Sequence, residues 1–155
     1  MGLDMHLTGK RYLSKFQQGE EDIQVAIQNL LPELKDMQGH FLGSKSVVQE
    51  ICIDAGYWRK ANQVHNWFVK NVQKGQDDCG EYYVGRDKLT ELRDLCHKIL
   101  NDRTKVNELP TASGFFFGSV EYDEYYFNDL TDTVRIIDNA LALPESWGFY
   151  YRSSW

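Results

Sequence analysis

The stretch Tyr57–Gln73, YWRKANQVHNWFVKNVQ, decides how the rest of this chain is read. Ala61, Val64, Phe68 and Val72 fall on one helical stripe, and Trp58, His65 and Val69 widen it on the adjoining flank. The spacing predicts one amphipathic helix over 57–73, stopped by Gly75. Downstream, Leu89, Leu92, Cys96 and Ile99 repeat the pattern and predict a helix over 86–101. Tyr126, Leu130, Val134, Ile137 and Leu141 predict a third over 122–142, ended by Pro144.

Upstream the period changes. Leu3, Met5 and Leu7 alternate with Asp4 and His6, the mark of a half-buried strand, with Gly9 at its end. Ile23, Ile27 and Leu30 predict a short helix from about Glu20 to Pro32, with acidic residues in the first turn where the helix dipole favours them. Residues 35–45 read as a loop or hairpin turn, and SVVQEICID (Ser46–Asp54) as a strand. EYYV after the polar turn at 74–81 reads as extended, and the tail SWGFYYRSSW either adds a strand or packs loosely. The sum is an α+β fold, three main helices on a small sheet, in a single domain over 1–155.

Composition limits the function classes. The chain has 155 residues and a formal net charge of −6, with basic residues scattered rather than gathered into a stripe. Nucleic-acid binding is not expected from that pattern, because such affinity rests on phosphate neutralisation. No apolar run is long enough to span a membrane, and MGLDMHLTGKRY does not read as a secretory signal or a myristoylation site. Cys52, Cys79 and Cys96 lie far apart with no CxxC pair, which points to reduced thiols in a cytosolic protein rather than disulfides or zinc. No cofactor or metal motif is present.

Two segments stand out as candidate sites. Residues 115–127 hold seven aromatics, Phe115 to Phe117, Tyr122, Tyr125, Tyr126 and Phe127, more than a surface loop carries without a core, pocket or partner to cover them. The run Gly114–Gly118 can form a short buried strand, and Ser119 is placed to cap the helix that follows. Alternatively Phe116, Ser119 and Tyr122 wall a pocket able to stack a planar ligand. The second segment is the 57–73 helix itself. Spacings of four and three put Trp58, Asn62 and His65 on one face, with Tyr57 beside it and Arg59 or Lys60 available to an anion. The plainer reading makes the tryptophans core and His65 a hydrogen-bonded half-buried residue. Asp77-Asp78-Cys79-Gly80-Glu81 lacks EF-hand spacing and reads as a solvated acidic turn.

The motifs MGLDM, GYWRKANQVHNWFVKNVQ, DDCGEYYV and SGFFFGSVEYDEYYFNDL resemble those of a family of small proteins encoded by tailed bacteriophages and prophages. The resemblance is densest from Gly56 to Leu130. It implies action in the host bacterial cytoplasm, as an accessory protein binding a small nucleotide-like host signal or a host protein. It carries no catalytic residues over. The rival expectation is a small hydrolase or nucleotide-modifying enzyme pairing His65 with Asp77, Asp78, Glu121 or Asp123. A third is an oligomeric structural protein, a homo-oligomer with the aromatics in its interface.

Overall fold

The computed structural model of the chain describes residues 2–13, 19–34, 48–114 and 117–155. Four strands, β1 (Asp4–Tyr12), β2 (Glu50–Arg59), β3 (Tyr82–Val84) and β4 (Gly148–Ser154), form an antiparallel sheet in the order β2-β1-β4-β3. Among the described residues four α-helices accompany them: α1 (Glu20–Leu30), α2 (Asn62–Asn71), α3 (Arg86–Asn101) and α4 (Glu124–Leu141). The fold is therefore α+β, as the periodicities require.

The chain divides into two compact units, Lys10–Cys52 and the remainder. In the smaller, α1 is held by a two-way clasp: the Gln24 side-chain amide donates to the Val48 carbonyl at 2.7 Å and its oxygen accepts from the Val48 N–H at 3.0 Å. The apolar stripe expected of α1 is only partly covered among the described residues, with Ile23 and Ile27 half-buried and Leu30 exposed.

In the larger unit, Met5 and Leu7 of β1 point into the core with Phe149 and Tyr151 of β4. The alternation of β1 continues through buried Gly9, so that glycine does not end the strand as expected. A Cβ there would meet the Ile53 side chain at 3.0 Å, so the residue is small because a neighbour crosses it. The tail is a full strand, pairing Tyr151 with Tyr82 and Phe149 with Val84. Tyr151 stacks on Phe68 of α2, with centroids 3.9 Å apart and planes 11° from parallel. Helices α3 and α4 pack together through Leu89, Leu92, Leu130 and Ile137, all fully buried. Arg86 at the start of α3 donates to the carbonyls of Leu141, Leu143 and Pro144, at 3.2, 2.8 and 2.7 Å. It thereby satisfies carbonyls left open where α4 ends.

One expectation fails in an informative way. The helix expected over 57–73 begins only at Asn62, because Tyr57, Trp58 and Arg59 belong to β2. The strand persists while it pairs with β1, to the point where the Lys60 N–H reaches the Leu3 carbonyl at 2.8 Å. Lys60 then takes a left-handed conformation, φ +61°. Ala61 (φ −73°, ψ 69°) makes an inverse γ-turn, closed by the Asn62 N–H on the Lys60 carbonyl at 2.8 Å. The chain thus changes direction between Trp58 and Asn62, and the two do not share a helical face.

Candidate functional site

The β2-to-α2 turn forms one wall of a cavity of about 310 Å³. Arg59 and Lys60 come from the turn, Gln63 from the first turn of α2, Ser119 and Glu121 from the loop before α4, and Asp129 from α4. Tyr125 and Tyr126 add rings to the lining. Gly118, with φ +86°, packs directly on the Lys60 side chain: a Cβ there would lie 3.2 Å from that of Lys60. Two left-handed residues therefore fit against each other in the wall, a conformation costing about 1–2 kcal/mol for a residue that carries a Cβ.

Asn62 ties three described residues at the cavity wall to α2. Its amide donates to the carbonyls of Phe117 (3.0 Å) and Ser119 (2.8 Å), and its oxygen accepts from the Ala112 N–H (2.9 Å). The side chain is 1% exposed and holds three backbone groups, so it positions the wall and does not face a ligand. Ser119 lines the cavity, but it is not the helix cap expected of it. Asp123 is: its carboxylate accepts from the N–H groups of Tyr125 and Tyr126, while the Ser119 hydroxyl accepts from Glu121. The aspartate is the residue directly before the first turn, where a capping acceptor must stand.

The charge pattern of the lining is uneven. Arg59 is exposed and, among the described residues, pairs loosely with Asp4 at 4.0 Å, whereas Lys60 enters no ion pair among them. Asp129 is half-buried, and its Oδ2 accepts from the Gln63 side-chain amide at 3.0 Å. Burial is the main cause that pushes its carboxyl up to about 6, the Gln63 hydrogen bond opposes the rise, and the like charges of Asp132 and Asp123 add to it. Tyr126 is buried, its hydroxyl donating to the Leu109 carbonyl at 2.9 Å, and burial raises its phenol well above the ordinary value.

His65 lies elsewhere. Its ring is 1% exposed, with Nε2 at 3.1 Å from Asp77 and Nδ1 at 2.8 Å from the Tyr151 hydroxyl. The acceptor-only carboxylate places the proton of the neutral ring on Nε2, so Nδ1 accepts from Tyr151. Phe117 and Trp155 cover the ring at centroid distances of 5.2 and 5.9 Å. The expected carboxylate partner is present, but His65 does not line the cavity. Asp78 turns away to accept from the Gly80 N–H and the Tyr82 hydroxyl, bonds that hold its carboxyl below the usual range.

The remaining expected residues part company. Trp58 is core, 3% exposed, its indole N–H donating to Thr133 at 2.9 Å. Tyr57 is exposed on β2 and donates to Asp4, in a shallow groove with Arg135 and Asn139 separate from the cavity. Tyr122 packs edge-on against Tyr126 outside the lining. Phe116 lies outside the described residues, as does Phe115, so the short buried strand proposed for them does too. Of the residues singled out from the sequence, then, the cavity receives Arg59, Lys60 and Ser119, together with Glu121 and Asp123, and Asn62 stands directly behind its wall. Gln63 and Asp129 were missed: each is an ordinary polar residue on a helix, and only their pairing across 66 residues marks them.

No helix among the described residues is long and apolar enough to cross a membrane. Comparison with protein-family models, with curated proteins and with solved structures finds no match.

Proposed function

We propose that this chain is a non-enzymatic accessory protein that binds a small nucleotide-like molecule in the cavity beside Lys60, acting in a host bacterial cytoplasm as its resemblance to phage proteins implies. The observation that carries the reading is the pair of cations on the cavity wall, Arg59 with one loose partner and Lys60 with no ion pair among the described residues. An anionic group such as a phosphate supplies the missing charge. The left-handed backbone of Lys60 supports it, since strain of this kind gathers where a side chain must be aimed. The volume sits at the lower end of the range of about 300–1,000 Å³ usual for small-molecule sites, which suits a mononucleotide. Against catalysis by His65 stands its burial under Phe117 and Trp155, outside the lining.

A host protein is the second reading, favoured by Tyr125, whose ring is 78% exposed although it borders the cavity.

Thermal denaturation of the protein with a panel of bacterial mononucleotides and cyclic dinucleotides tests the proposal. A ligand at about a hundredfold its Kd stabilises by about 2.7 kcal/mol, a readily measured rise in Tm. The rise is expected to vanish in Lys60→Ala and Arg59→Ala variants that keep the parent circular dichroism. A panel with no response refutes the small-molecule reading.

A further inference from the structure

Asp129 lines the cavity and enters no ion pair among the described residues. Among the described residues its side chain has one hydrogen-bond partner, the amide of Gln63, and the like charges of Asp132 on α4 and of Asp123 at its N-cap act against it. The other acids of the lining are placed differently. Asp123 is committed to the helix N-terminus, and Glu121 is exposed. A carboxylate offers about four lone-pair sites, of which Gln63 uses one. A partly buried charge left in that state is costly, and an incoming donor pair relieves the cost on binding. Burial already holds the carboxyl up to about 6, the mark of a group short of partners.

We infer that Asp129 is the specificity-determining residue of the cavity, accepting the two parallel N–H donors of a planar N–C–N group such as the guanine edge or a guanidinium. The inference rests on the small-molecule reading of this cavity and names the part of the ligand opposite to its anion. Two adjacent N–H groups match the two oxygens of a carboxylate bidentately. Guanine carries such a pair at N1 and N2, whereas adenine sets an acceptor beside its amino group and meets the carboxylate with repulsion at that position. Gln63 holds Asp129 from the side: its amide fixes one oxygen and thereby the plane in which the donors must lie. Arg59, only loosely paired with Asp4, and Lys60 border the same cavity and can take the phosphate of a guanosine monophosphate, so both ends of that molecule find a complementary group.

The test is calorimetric titration of the full chain, near neutral pH, with two matched pairs: guanosine against inosine monophosphate, and agmatine against putrescine. Each first member carries the N–C–N donor pair, and each second member lacks one or both of its N–H groups. A preference of about tenfold or more for the first member of at least one pair is expected, the worth of one hydrogen bond to a charged group. Asp129→Asn, which keeps an acceptor for Gln63, is expected to abolish that preference while leaving the fold intact by circular dichroism. The pair that discriminates identifies the source of the donors. Binding of the nucleotides with no discrimination in either pair overturns the role of Asp129 and leaves nucleotide binding standing. Discrimination confined to agmatine overturns the guanine edge as the source of the donors and upholds Asp129 as the acceptor of a guanidinium. Discrimination in neither pair, or a preference unchanged in Asp129→Asn, overturns the inference.

Discussion

Replacing Asp129 by Asn is expected to stabilise the ligand-free protein near neutral pH, and the gain is expected to fade in acid. The carboxyl titrates near 6 in the folded chain, against about 3.9 in an unfolded one. The folded state thus binds its proton more tightly, so between these values it carries more protons than the unfolded state, and stability falls as pH rises through the window. A difference of about two units corresponds to an upper bound of about 3 kcal/mol. Asp129 retains contact with water, and screening reduces this to about 1–2 kcal/mol. The asparagine removes the charge and keeps an oxygen for the Gln63 amide. Urea unfolding of parent and variant should show the variant ahead by that amount above about pH 7, by roughly half as much at about pH 5, and level near pH 4. A variant no more stable than the parent at neutral pH, or a gain that persists undiminished at pH 4, refutes the account of a carboxylate short of partners.

Asn62→Ala removes three hydrogen bonds to backbone groups at Ala112, Phe117 and Ser119 and is expected to cost about 2–4 kcal/mol in urea unfolding. Faster amide exchange should appear at Ala112, whose N–H loses its acceptor, and the exchange of α3 should change much less. Thiol titration offers an independent check on the core: Cys52 is exposed and Cys79 partly so, whereas burial pushes the Cys96 thiol up to about 12. Cys96 should react with a disulfide reagent only after unfolding, and a native-state reaction as fast as that of Cys52 would show that α3 is not packed as described.

Regular elements with a sustained period were legible in the chain. The helix over 86–101 has the bounds its apolar spacing implies, and α4 differs from expectation by about one turn-half at its start. Both are long enough for the 3.6-residue period to be unambiguous. The run 57–61 was not, because Trp58 and Ala61 fit a helical stripe as well as they fit a strand. What settles it is pairing with Leu3, a contact more than fifty residues away, and a left-handed Lys60 that leaves no mark in composition. Within the site, Arg59, Asn62 and Ser119 were found through their neighbourhood to aromatic motifs. The meeting of α2 with the aromatic segment was also legible, and occurs through Asn62 and His65. Trp58 was misjudged because an indole reads equally as a stacking wall or as core, and its bond to Thr133 decides for core. Gln63 and Asp129 had no local signal at all.

The three-point grip of Asn62 has an entropic consequence for recognition. A loop that must be frozen when a ligand arrives weakens affinity by the freedom it surrenders, about 1–2 kcal/mol for each backbone residue fixed. Here residues 112, 117 and 119 are pinned to the first turn of α2 by bonds within the chain itself. That cost has been met during folding, so the described wall is preorganised. A modest set of polar contacts is then enough for useful affinity, and association should proceed in a single step without a slow rearrangement at residues 112, 117 and 119.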